Sequence, residues 1–288
     1  MQMNLIGQDE ILKKVVGNGP YLIVGPKGSG KTSLAKRIVM DAICERHSGC
    51  GECRPCRMFL KGNYPDFYMF SGGKIDEVRE LIGRISVKPF YDKYFVFLDN
   101  IDRMSIPAQN ALLKTIEEPM SAVMFILTGT IQNNILKTIV SRSVKLSPQL
   151  LPADVILEEL KKKFPEEDPH FLKEASDFAE GSLGYALDIV ERKDFYRMLA
   201  DDIRHIKKRN FFELSNRYAK DYKEEVLSIF DFYEKHLRNK MLSFAKEGKD
   251  TSLVYETVRD IEKYRKQLTN NVNLAMVFQN LILKIQQI

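Results

Sequence analysis

The sequence predicts an α/β domain with a parallel sheet and a phosphate-binding loop, followed by two helical domains. Through residues 1–148, short apolar runs alternate with segments of helical periodicity, which is the pattern of a parallel sheet covered on both faces. A glycine-rich loop directly follows the first apolar run. Strand patterns stop after Pro148, and only helical patterns follow. We therefore predict an α/β domain at 1–148, a small helical domain at 149–198 and a larger helical domain at 199–288.

Five apolar runs of the first domain are predicted strands, and the segments between them are predicted helices. In 75–85, for example, the apolar residues are at positions 75, 78, 81, 82 and 85, the spacing of one helix face. The predicted strands are YLIVG (21–25), DFYMF (66–70), FVFLD (95–99), VMFILTGT (123–130) and SVKL (143–146). The predicted helices are 31–42, 75–85, 107–118, which Pro119 ends, and 133–140.

The two helical domains differ in the length of their predicted helices. The small domain has three short helical patterns, at 151–164, 170–181 and 182–193. The larger domain has longer ones, at 204–220, 221–248, 251–271 and 274–288. There is no internal repeat and no low-complexity segment, so a repeat architecture is excluded.

The composition bounds the class of protein. The chain has 288 residues, of which 44% are hydrophobic and 29% are charged, as in ordinary folded domains. It begins without the pattern of a signal peptide, and no apolar run approaches the roughly 18 residues of a membrane span. The net charge of +5 permits nucleic-acid contact but does not argue for it alone. We expect a cytoplasmic protein with no membrane partner.

The segment GPKGSGKT, residues 25–32, matches the phosphate-loop pattern G-x-x-x-x-G-K-[ST] directly after a predicted strand. Its glycines let backbone N–H groups point at phosphate oxygens, and the next helix presents its positive N-terminus to the same anion. Lys31 would neutralise the β and γ phosphates, while Thr32 and Asp99 would bind magnesium. The alternatives are a chance glycine-rich turn and a loop that keeps the fold without binding nucleotide. The predicted nucleotide-binding residues are Gly25, Gly28, Ser29, Gly30, Lys31, Thr32 and Asp99.

All four cysteines lie in an insert at 44–56, with the spacing C-x5-C-x2-C-x2-C. In a reducing cytoplasm, clustered cysteines indicate a metal more often than disulfides. Four thiolates surround zinc tetrahedrally and leave no open position, so a structural zinc site is predicted rather than a catalytic one. His47 is the only other plausible ligand, and the alternatives are a metal-free remnant or an iron–sulfur cluster. The predicted ligands are Cys44, Cys50, Cys53 and Cys56.

Four motifs follow one another in a specific order. They are GPKGSGKT, CGECRPC, PAQNALLKTIEEP (107–119) and TIVSRS (138–143), and the chain ends on a segment containing NNVNLAMVFQNLIL (270–283). With these motifs, the whole chain resembles the AAA+ subunits of the bacterial DNA polymerase III clamp loader. That family comprises ATP-hydrolysing gamma/tau subunits and the delta-prime subunit. The resemblance implies a P-loop AAA+ domain, then a small helical lid domain and an all-α C-terminal collar domain for oligomerisation.

The resemblance also implies roles for residues near the end of the first domain. Arg142 of SRS matches the arginine finger, which reaches the ATP held by the neighbouring subunit and supplies positive charge to the transferring phosphate. Ser143 stands where the family usually has Cys, which does not alter the role of the arginine. Thr130, with Thr128 as the alternative, matches the first polar sensor of the γ-phosphate. Either threonine could equally be an ordinary strand hydroxyl.

Three departures separate the chain from the hydrolysing subunits that it resembles. Asn100 replaces the Glu that activates water, and because an amide cannot accept a proton, a rate loss of order 10²–10⁴ is expected. The nearby Asp102 is interpreted as the start of the turn. Gly184, in GSLGYAL, stands where hydrolysing members carry the second-sensor Arg. The segment between Gln8 and Gly25, which helps to form the adenine pocket, is shorter than the family norm.

These departures favour delta-prime, the subunit that donates its arginine and does little hydrolysis. We expect a subunit that helps to load the sliding clamp onto primed DNA, with weak or absent ATPase activity of its own. Its expected partners are gamma/tau and delta subunits, with the clamp and primed DNA reached through the complex. Zinc is the expected structural cofactor, and binding of ATP with magnesium is left open. The alternatives are a gamma-type ATPase with its own turnover and an AAA+ scaffold without nucleotide or a working finger.

Overall fold

A computed structural model describes residues 5–71, 75–118, 122–130, 132–268 and 272–288. The chain divides into two compact units, Met1–Glu191 and Arg192–Ile288. The first unit contains a β-sheet with helices, and the second is helical throughout the part that the structure describes. The finer division into three domains stays a prediction. No helix within the described residues is both long and apolar enough to cross a membrane.

The first unit is built on one five-stranded sheet in which every neighbouring pair of strands is parallel. The strands are β1 (Tyr21–Val24), β2 (Phe67–Ser71), β3 (Tyr94–Asp99), β4 (Val123–Gly129) and β5 (Val144–Leu146). Their spatial order is β2-β3-β4-β1-β5, which brings the carboxyl ends of β1, β3 and β4 together at one edge. Each predicted strand is present, and the predicted fold class, an α/β domain with a parallel sheet followed by helical segments, is confirmed.

Helices cover both faces of the sheet. The helices of this unit are α1 (Asp9–Leu12), α2 (Lys31–Ile43), α3 (Arg54–Leu60), α4 (Ile75–Ile85), α5 (Ile106–Glu117), α6 (Lys137–Arg142), α7 (Ala153–Lys163), α8 (Pro169–Phe178) and α9 (Leu183–Glu191). On β3, Phe95 and Phe97 belong to the core that packs against α2 and α3. The alternate residues Val96 and Leu98 belong to the core under α4, α5 and α6. Burial on both faces explains why the strands are continuous apolar runs.

The predicted helix at 133–140 is wrong, and buried Gln109 of α5 explains why. Its side-chain amide donates to the carbonyl of Asn134 at 3.0 Å, and its side-chain oxygen accepts from the N–H of Leu136 at 2.9 Å. These bonds engage backbone groups that a continuous helix would use itself. The chain therefore forms a 3₁₀ turn at Gln132–Asn134, and α6 begins only after this break.

Other helix bounds follow the prediction more closely. Helix α4 has the predicted bounds, and α2, α5 and α7 begin or end within two residues of theirs. Pro119, predicted to end α5, lies outside the described residues. Three helices were not predicted: α1, α3 within the cysteine insert, and a helix at Lys193–Arg204. The first two span four and seven residues, too short for helical periodicity to be recognised in the sequence.

The second unit consists of longer helices. Its described helices are α10 (Lys193–Arg204), α11 (Phe211–Asp221), α12 (Val226–Lys246), α13 (Ser252–Gln267) and α14 (Leu274–Gln287). The predicted continuous helix at 204–220 is wrong because Asn210 starts a new helix within it. The Asn210 side chain accepts from the N–H groups of Phe212 at 2.9 Å and Glu213 at 3.3 Å, which is the geometry of an N-cap.

A buried carboxylate, Asp202, ties α10 to α11. Asp202 is 1% exposed, accepts a hydrogen bond from the Tyr218 hydroxyl at 2.8 Å, and forms ion pairs with Arg217 and, at 3.4 Å, with Arg209. The hydroxyls of Tyr218 and Tyr233 lie 2.9 Å apart. Burial raises the pKa of Tyr218, as do Tyr233 and the charge of Asp202. The Tyr218 phenol therefore stays protonated and donates to the carboxylate.

We expect Asp202→Asn to lower the free energy of unfolding by about 2–4 kcal/mol, because removing one partner of a buried ion pair leaves the other charge uncompensated. Arg217 is partly exposed, so the expected loss of unfolding free energy is smaller than for an ion pair that is completely excluded from water. Chemical denaturation followed by circular dichroism measures the change. The control is Asp221→Asn, at an exposed end of α11, which should change stability by less than about 0.5 kcal/mol. Equal losses in the two variants would contradict the role of Asp202.

Candidate nucleotide and metal sites

The phosphate loop joins the end of β1 to the start of α2. Gly28 and Gly30 have φ angles of +75° and +84°, where residues with a Cβ are strained. Gly25 has ordinary backbone angles but no room, since a Cβ there would lie 2.9 Å from Ser29 Oγ and 3.3 Å from Pro148 Cδ. The curl of the loop therefore depends on glycine at these positions for two different reasons.

The side chain of Lys31 folds back into the loop. Its Nζ donates to the carbonyls of Gly25 and Pro26, both at 2.8 Å, and the residue is 8% exposed. Burial lowers the pKa of Lys31, whereas the charges of Asp102 and Asp99 raise it. The ammonium group thus lies within electrostatic reach of two carboxylates at the carboxyl edge of the sheet.

Two hydroxyl groups of the loop fit a ligand that carries phosphate and magnesium. Ser29 is 7% exposed, and its Oγ has no hydrogen-bond partner within the described part of the chain. Buried hydroxyls are normally bonded, and a phosphate oxygen would satisfy this one. Thr32 lies in the first turn of α2 and is partly exposed, so its hydroxyl is available to a metal ion. The residues present therefore fit the phosphates of a nucleotide with magnesium.

Asp99, at the end of β3, is held by hydrogen bonds from both sides. Thr128 Oγ1 on β4 donates to one carboxylate oxygen at 2.5 Å, and Asn100 Nδ2 donates to the other at 2.9 Å. The backbone N–H of Asn100 donates in turn to Thr128 Oγ1 at 3.1 Å. We call this arrangement of Asp99, Asn100 and Thr128 the clasp. It joins the ends of two neighbouring strands and uses the Asn100 amide to orient Asp99.

The structure brings one of the two candidate sensor threonines to the site. Thr128 is fully buried and belongs to the clasp, whereas Thr130 is exposed beyond the end of β4. The sequence favoured Thr130 and kept Thr128 as the alternative. The sensor role stays a prediction for either residue, but only Thr128 contacts Asp99.

Asp102 also lies at this edge of the sheet, where the sequence assigned it only to a turn. Asn100 has a φ of +56°, which turns the chain sharply into a 3₁₀ turn at Ile101–Arg103. The turn directs Asp102 towards β4, since a Cβ built on Gly129 would lie 3.3 Å from Asp102 Oδ1. The one sign in the sequence that Asp102 lies at this edge was its position three residues after Asp99, the last residue of β3. A second carboxylate thus stands near the phosphate loop although the residue after Asp99 is an amide.

Arg142 lies apart from these groups, at the last residue of α6. Its guanidinium pairs with Glu117 of α5 at 2.5 Å and donates to the carbonyl of Thr138 at 3.2 Å. The Arg142 side chain is 43% exposed and the Glu117 side chain 42%. Neither partner belongs to the phosphate loop or the clasp. Glu117 is a contact of the predicted finger that sequence reasoning did not identify.

The four cysteines converge. Their Sγ atoms all lie within 4.8 Å of one another, although the residues come from the end of α2, the insert loop and α3. Cys44 and Cys56 are buried against the core that also covers α2, and Cys53 precedes the first residue of α3. His47, the alternative ligand, is exposed and does not belong to this group.

Backbone N–H groups point at the cysteine sulfurs. The N–H groups of Arg46 and Cys50 donate to Cys44 Sγ, and that of Cys53 donates to Cys50 Sγ, each at 3.4 Å. Burial raises the pKa of Cys44, but N–H donors from Cys50, Ser48 and Arg46 outweigh it and lower the pKa to about 5. Cys44 therefore favours the thiolate, the form that binds metal, whereas burial raises the pKa of Cys56.

The α/β part of the chain matches a known family. The family described as DNA polymerase III, delta subunit, matches residues 8–150, which contain the phosphate loop, the cysteine insert and Arg142. Over these residues the chain is similar to this family. The delta-prime subunit of Pseudomonas aeruginosa is 31% identical over 172 residues, and the gamma subunit of Buchnera aphidicola is 31% identical over 207 residues. Since these identities are equal, they do not decide between delta-prime and gamma.

The chain spans about half the length of these curated relatives. The match covers 56% of this chain and 52% of the delta-prime subunit, and 65% of this chain and 57% of the gamma subunit. The tau subunit of Escherichia coli is 30% identical over 208 residues, which are 66% of this chain and 32% of tau. Among solved structures, a gamma subunit-related protein of Thermotoga maritima aligns with 100% of this chain and 99% of its own, at 16% identity and a TM-score of 0.48.

The clasp yields a prediction that separates the two threonines. Thr128→Val should lower the free energy of unfolding by about 1–2 kcal/mol, because it removes the partner of a half-buried Asp99 carboxylate oxygen and of the Asn100 N–H. Thr130→Val, the matched control at an exposed position, should change it by less than about 0.5 kcal/mol. Urea denaturation of both variants measures the difference. A loss in the second variant as large as in the first would contradict the clasp.

Proposed function

We propose that this chain is a delta-prime-like subunit of the DNA polymerase III clamp loader. It helps to load the sliding clamp onto primed DNA and donates Arg142 in trans to the ATP of a neighbouring ATPase subunit. Its partners are gamma/tau and delta subunits in a hetero-oligomer, and it reaches the clamp and primed DNA through that complex. The match of residues 8–150 to the family described as DNA polymerase III, delta subunit, supports this assembly.

The observation that carries the proposal is the contrast between Arg142 and the groups around the phosphate loop. Arg142 ends a helix, is 43% exposed and touches neither the loop nor the clasp. A guanidinium placed in this way is accessible to a neighbour, where it would stabilise charge on a transferring phosphoryl group. Lys31 of the loop and the side chains of the clasp, in contrast, bond to groups within the chain.

Weak hydrolysis by the chain itself follows from Asn100. Its amide cannot accept a proton from water, and its Nδ2 is engaged by Asp99 at 2.9 Å. Gly184 supplies no cation where hydrolysing members carry Arg. If nucleotide binds, Lys31 and Ser29 would hold its phosphates, and Thr32 and Asp99 would hold magnesium, the ion that neutralises phosphate charge.

One observation favours a second candidate, a gamma-type ATPase with its own turnover. The phosphate loop is intact, and Asp102 lies near both Gly129 and Lys31. Asp102 could accept a proton where Asn100 cannot. ATP hydrolysis by the free chain distinguishes the two candidates: we expect turnover at background, while about one turnover per second would favour the gamma-type function.

The arginine finger is tested in a reconstituted loader. We expect Arg142→Ala to reduce turnover at the ATP site that it faces by about 10³–10⁵-fold, because such fingers contribute that much to phosphoryl transfer. The measurement is DNA- and clamp-stimulated ATPase activity, with assembly checked by size-exclusion chromatography. Arg84→Ala, which removes an exposed arginine paired with Glu80 on α4, is the control and should leave activity unchanged.

Three outcomes would contradict the assignment of Arg142 as an arginine finger. Unchanged ATPase activity in an assembled Arg142→Ala loader would exclude Arg142 from phosphoryl transfer. Equal loss of activity in Arg84→Ala would show that removal of an exposed cation, rather than of the finger, is responsible. Loss of assembly in Arg142→Ala alone would favour the scaffold function over the finger.

We also propose that Cys44, Cys50, Cys53 and Cys56 hold a structural zinc ion. Four thiolates fill the tetrahedral shell of zinc and leave no position for substrate. The close approach of the four Sγ atoms and the N–H donors to Cys44 and Cys50 support this donor set. When bound, the ion would fix the end of α2 against the start of α3.

Metal analysis checks the zinc proposal. We expect close to one zinc per chain in acid-digested protein, and less than about half an equivalent would count against the site. Cys50→Ser should lose the metal and make residues 44–56 sensitive to protease, because binding and folding of such sites are coupled. Ser48→Ala, in the same insert loop, is the control and should keep the metal. Visible absorption with bound iron would instead identify an iron–sulfur cluster.

A further inference from the structure

The helical segment α7–α9, here called the lid, is tied to the phosphate loop through backbone groups. The N–H of Gly184, at the start of α9, donates to the carbonyl of Gly28 at 3.0 Å. Two residues earlier, just before α9 begins, Ser182 Oγ donates to the carbonyl of Lys27 at 2.9 Å, and Ser182 is 2% exposed. Two hydrogen bonds therefore link consecutive residues of the loop to residues 182 and 184.

This approach is possible only because two glycines face each other. A Cβ on Gly184 would lie 2.7 Å from the carbonyl oxygen and 3.0 Å from the Cα of Gly28. A Cβ on Gly28 would lie 2.4 Å from Ser182 Oγ and 2.5 Å from the backbone nitrogen of Tyr185. Side-chain carbons do not approach backbone atoms this closely, so neither position accepts any other residue without displacing the lid.

The carbonyl groups of residues 25–28 in the phosphate loop accept hydrogen bonds from other groups of the protein. Lys31 Nζ bonds the carbonyls of Gly25 and Pro26 at 2.8 Å, and the carbonyls of Lys27 and Gly28 accept from the lid. Four consecutive carbonyls of the loop thus accept hydrogen bonds, two from Lys31 and two from residues 182 and 184 of the lid. Polar groups that are buried and paired in this way hold one geometry, because breaking any pair leaves a buried group unsatisfied.

We propose that Gly28 and Gly184 form a lock that fixes the lid on the phosphate loop through protein contacts alone. Both are positioning residues, since they act through the backbone and not on a reacting atom. The lock excludes a second-sensor arginine, because an arginine at position 184 needs the Cβ for which there is no room. A ligand shifts a conformational equilibrium only by its differential affinity for the two states. A lid held in one state by its own contacts therefore keeps its place whether or not nucleotide is present.

Hydrogen exchange on the full chain, measured by mass spectrometry, tests the lock. In the native chain, amides of residues 27–30 and 182–186 should be protected, and ATP with magnesium should change the exchange of residues 182–186, on the lid, by less than about twofold. Gly184→Ala should accelerate exchange in both segments by about 10- to 100-fold, the range expected when a methyl group is forced into a packed contact. The matched control is Gly83→Ala on α4, where a Cβ has no neighbour within 4 Å, and it should change neither segment.

A second variant keeps the test decisive if Gly184→Ala unfolds. Ser182→Ala adds no atom but removes the bond to the Lys27 carbonyl and the one that Ser182 Oγ accepts from the N–H of Tyr185. Since the second bond lies within the lid, the decisive readout is residues 27–30, whose exchange should accelerate several-fold. The lock is wrong if neither variant differs from Gly83→Ala. It is also wrong if ATP with magnesium alters exchange of the lid amides of residues 182–186 in the native chain by tenfold or more. The experiment involves no other subunit, so its failure is separate from failure of the proposed clamp-loader function.

Discussion

The hydrogen bond between Asp99 and Thr128 is the interaction on which the arrangement of this molecule depends. It joins the ends of β3 and β4 at the edge where β1 delivers the phosphate loop. Asp99 is half-buried, and a carboxylate partly removed from water is stabilised when each oxygen accepts a hydrogen bond; its second oxygen accepts one from Asn100. That requirement holds Asn100 in a left-handed conformation and directs the following turn back to the sheet. The position of Asp102 near Lys31 is thus a consequence of the clasp.

The clasp also shows the structural role of the Asn100 side chain, the amide that follows Asp99 in the sequence. The Asn100 side chain donates to its neighbour's carboxylate, which a carboxylate at the same position could not do at neutral pH because it has no proton to donate. An amide at position 100 therefore supplies a donor that orients Asp99, and it avoids the repulsion that two adjacent carboxylates would have. In this way Asn100 stabilises the edge of the sheet.

Local patterns determined what the sequence could predict. The strands were recognised because burial on both faces requires continuous apolar runs, and α4 because its apolar face is regular. The break before α6 could not be predicted, since it depends on Gln109, which is 25 residues away from Asn134. The choice between Thr128 and Thr130 likewise depends on which threonine meets β3. Gly184 was recognised as a missing cation, but its contact with Gly28 is a property of the folded lid and loop.

The ion pairs of Arg217 and Arg142 have opposite characters, and this difference matters for the proposed role of Arg142. Arg217 faces a fully buried carboxylate, so its pairing with Asp202 is a fixed part of the fold. Arg142 and Glu117 are each more than 40% exposed, and ion pairs in that setting contribute only about 0–1 kcal/mol. Exchanging Glu117 for a phosphate on a neighbouring subunit would therefore cost little. Because α6 is anchored by the buried Gln109 next to it, the guanidinium can change partner while its helix stays in place.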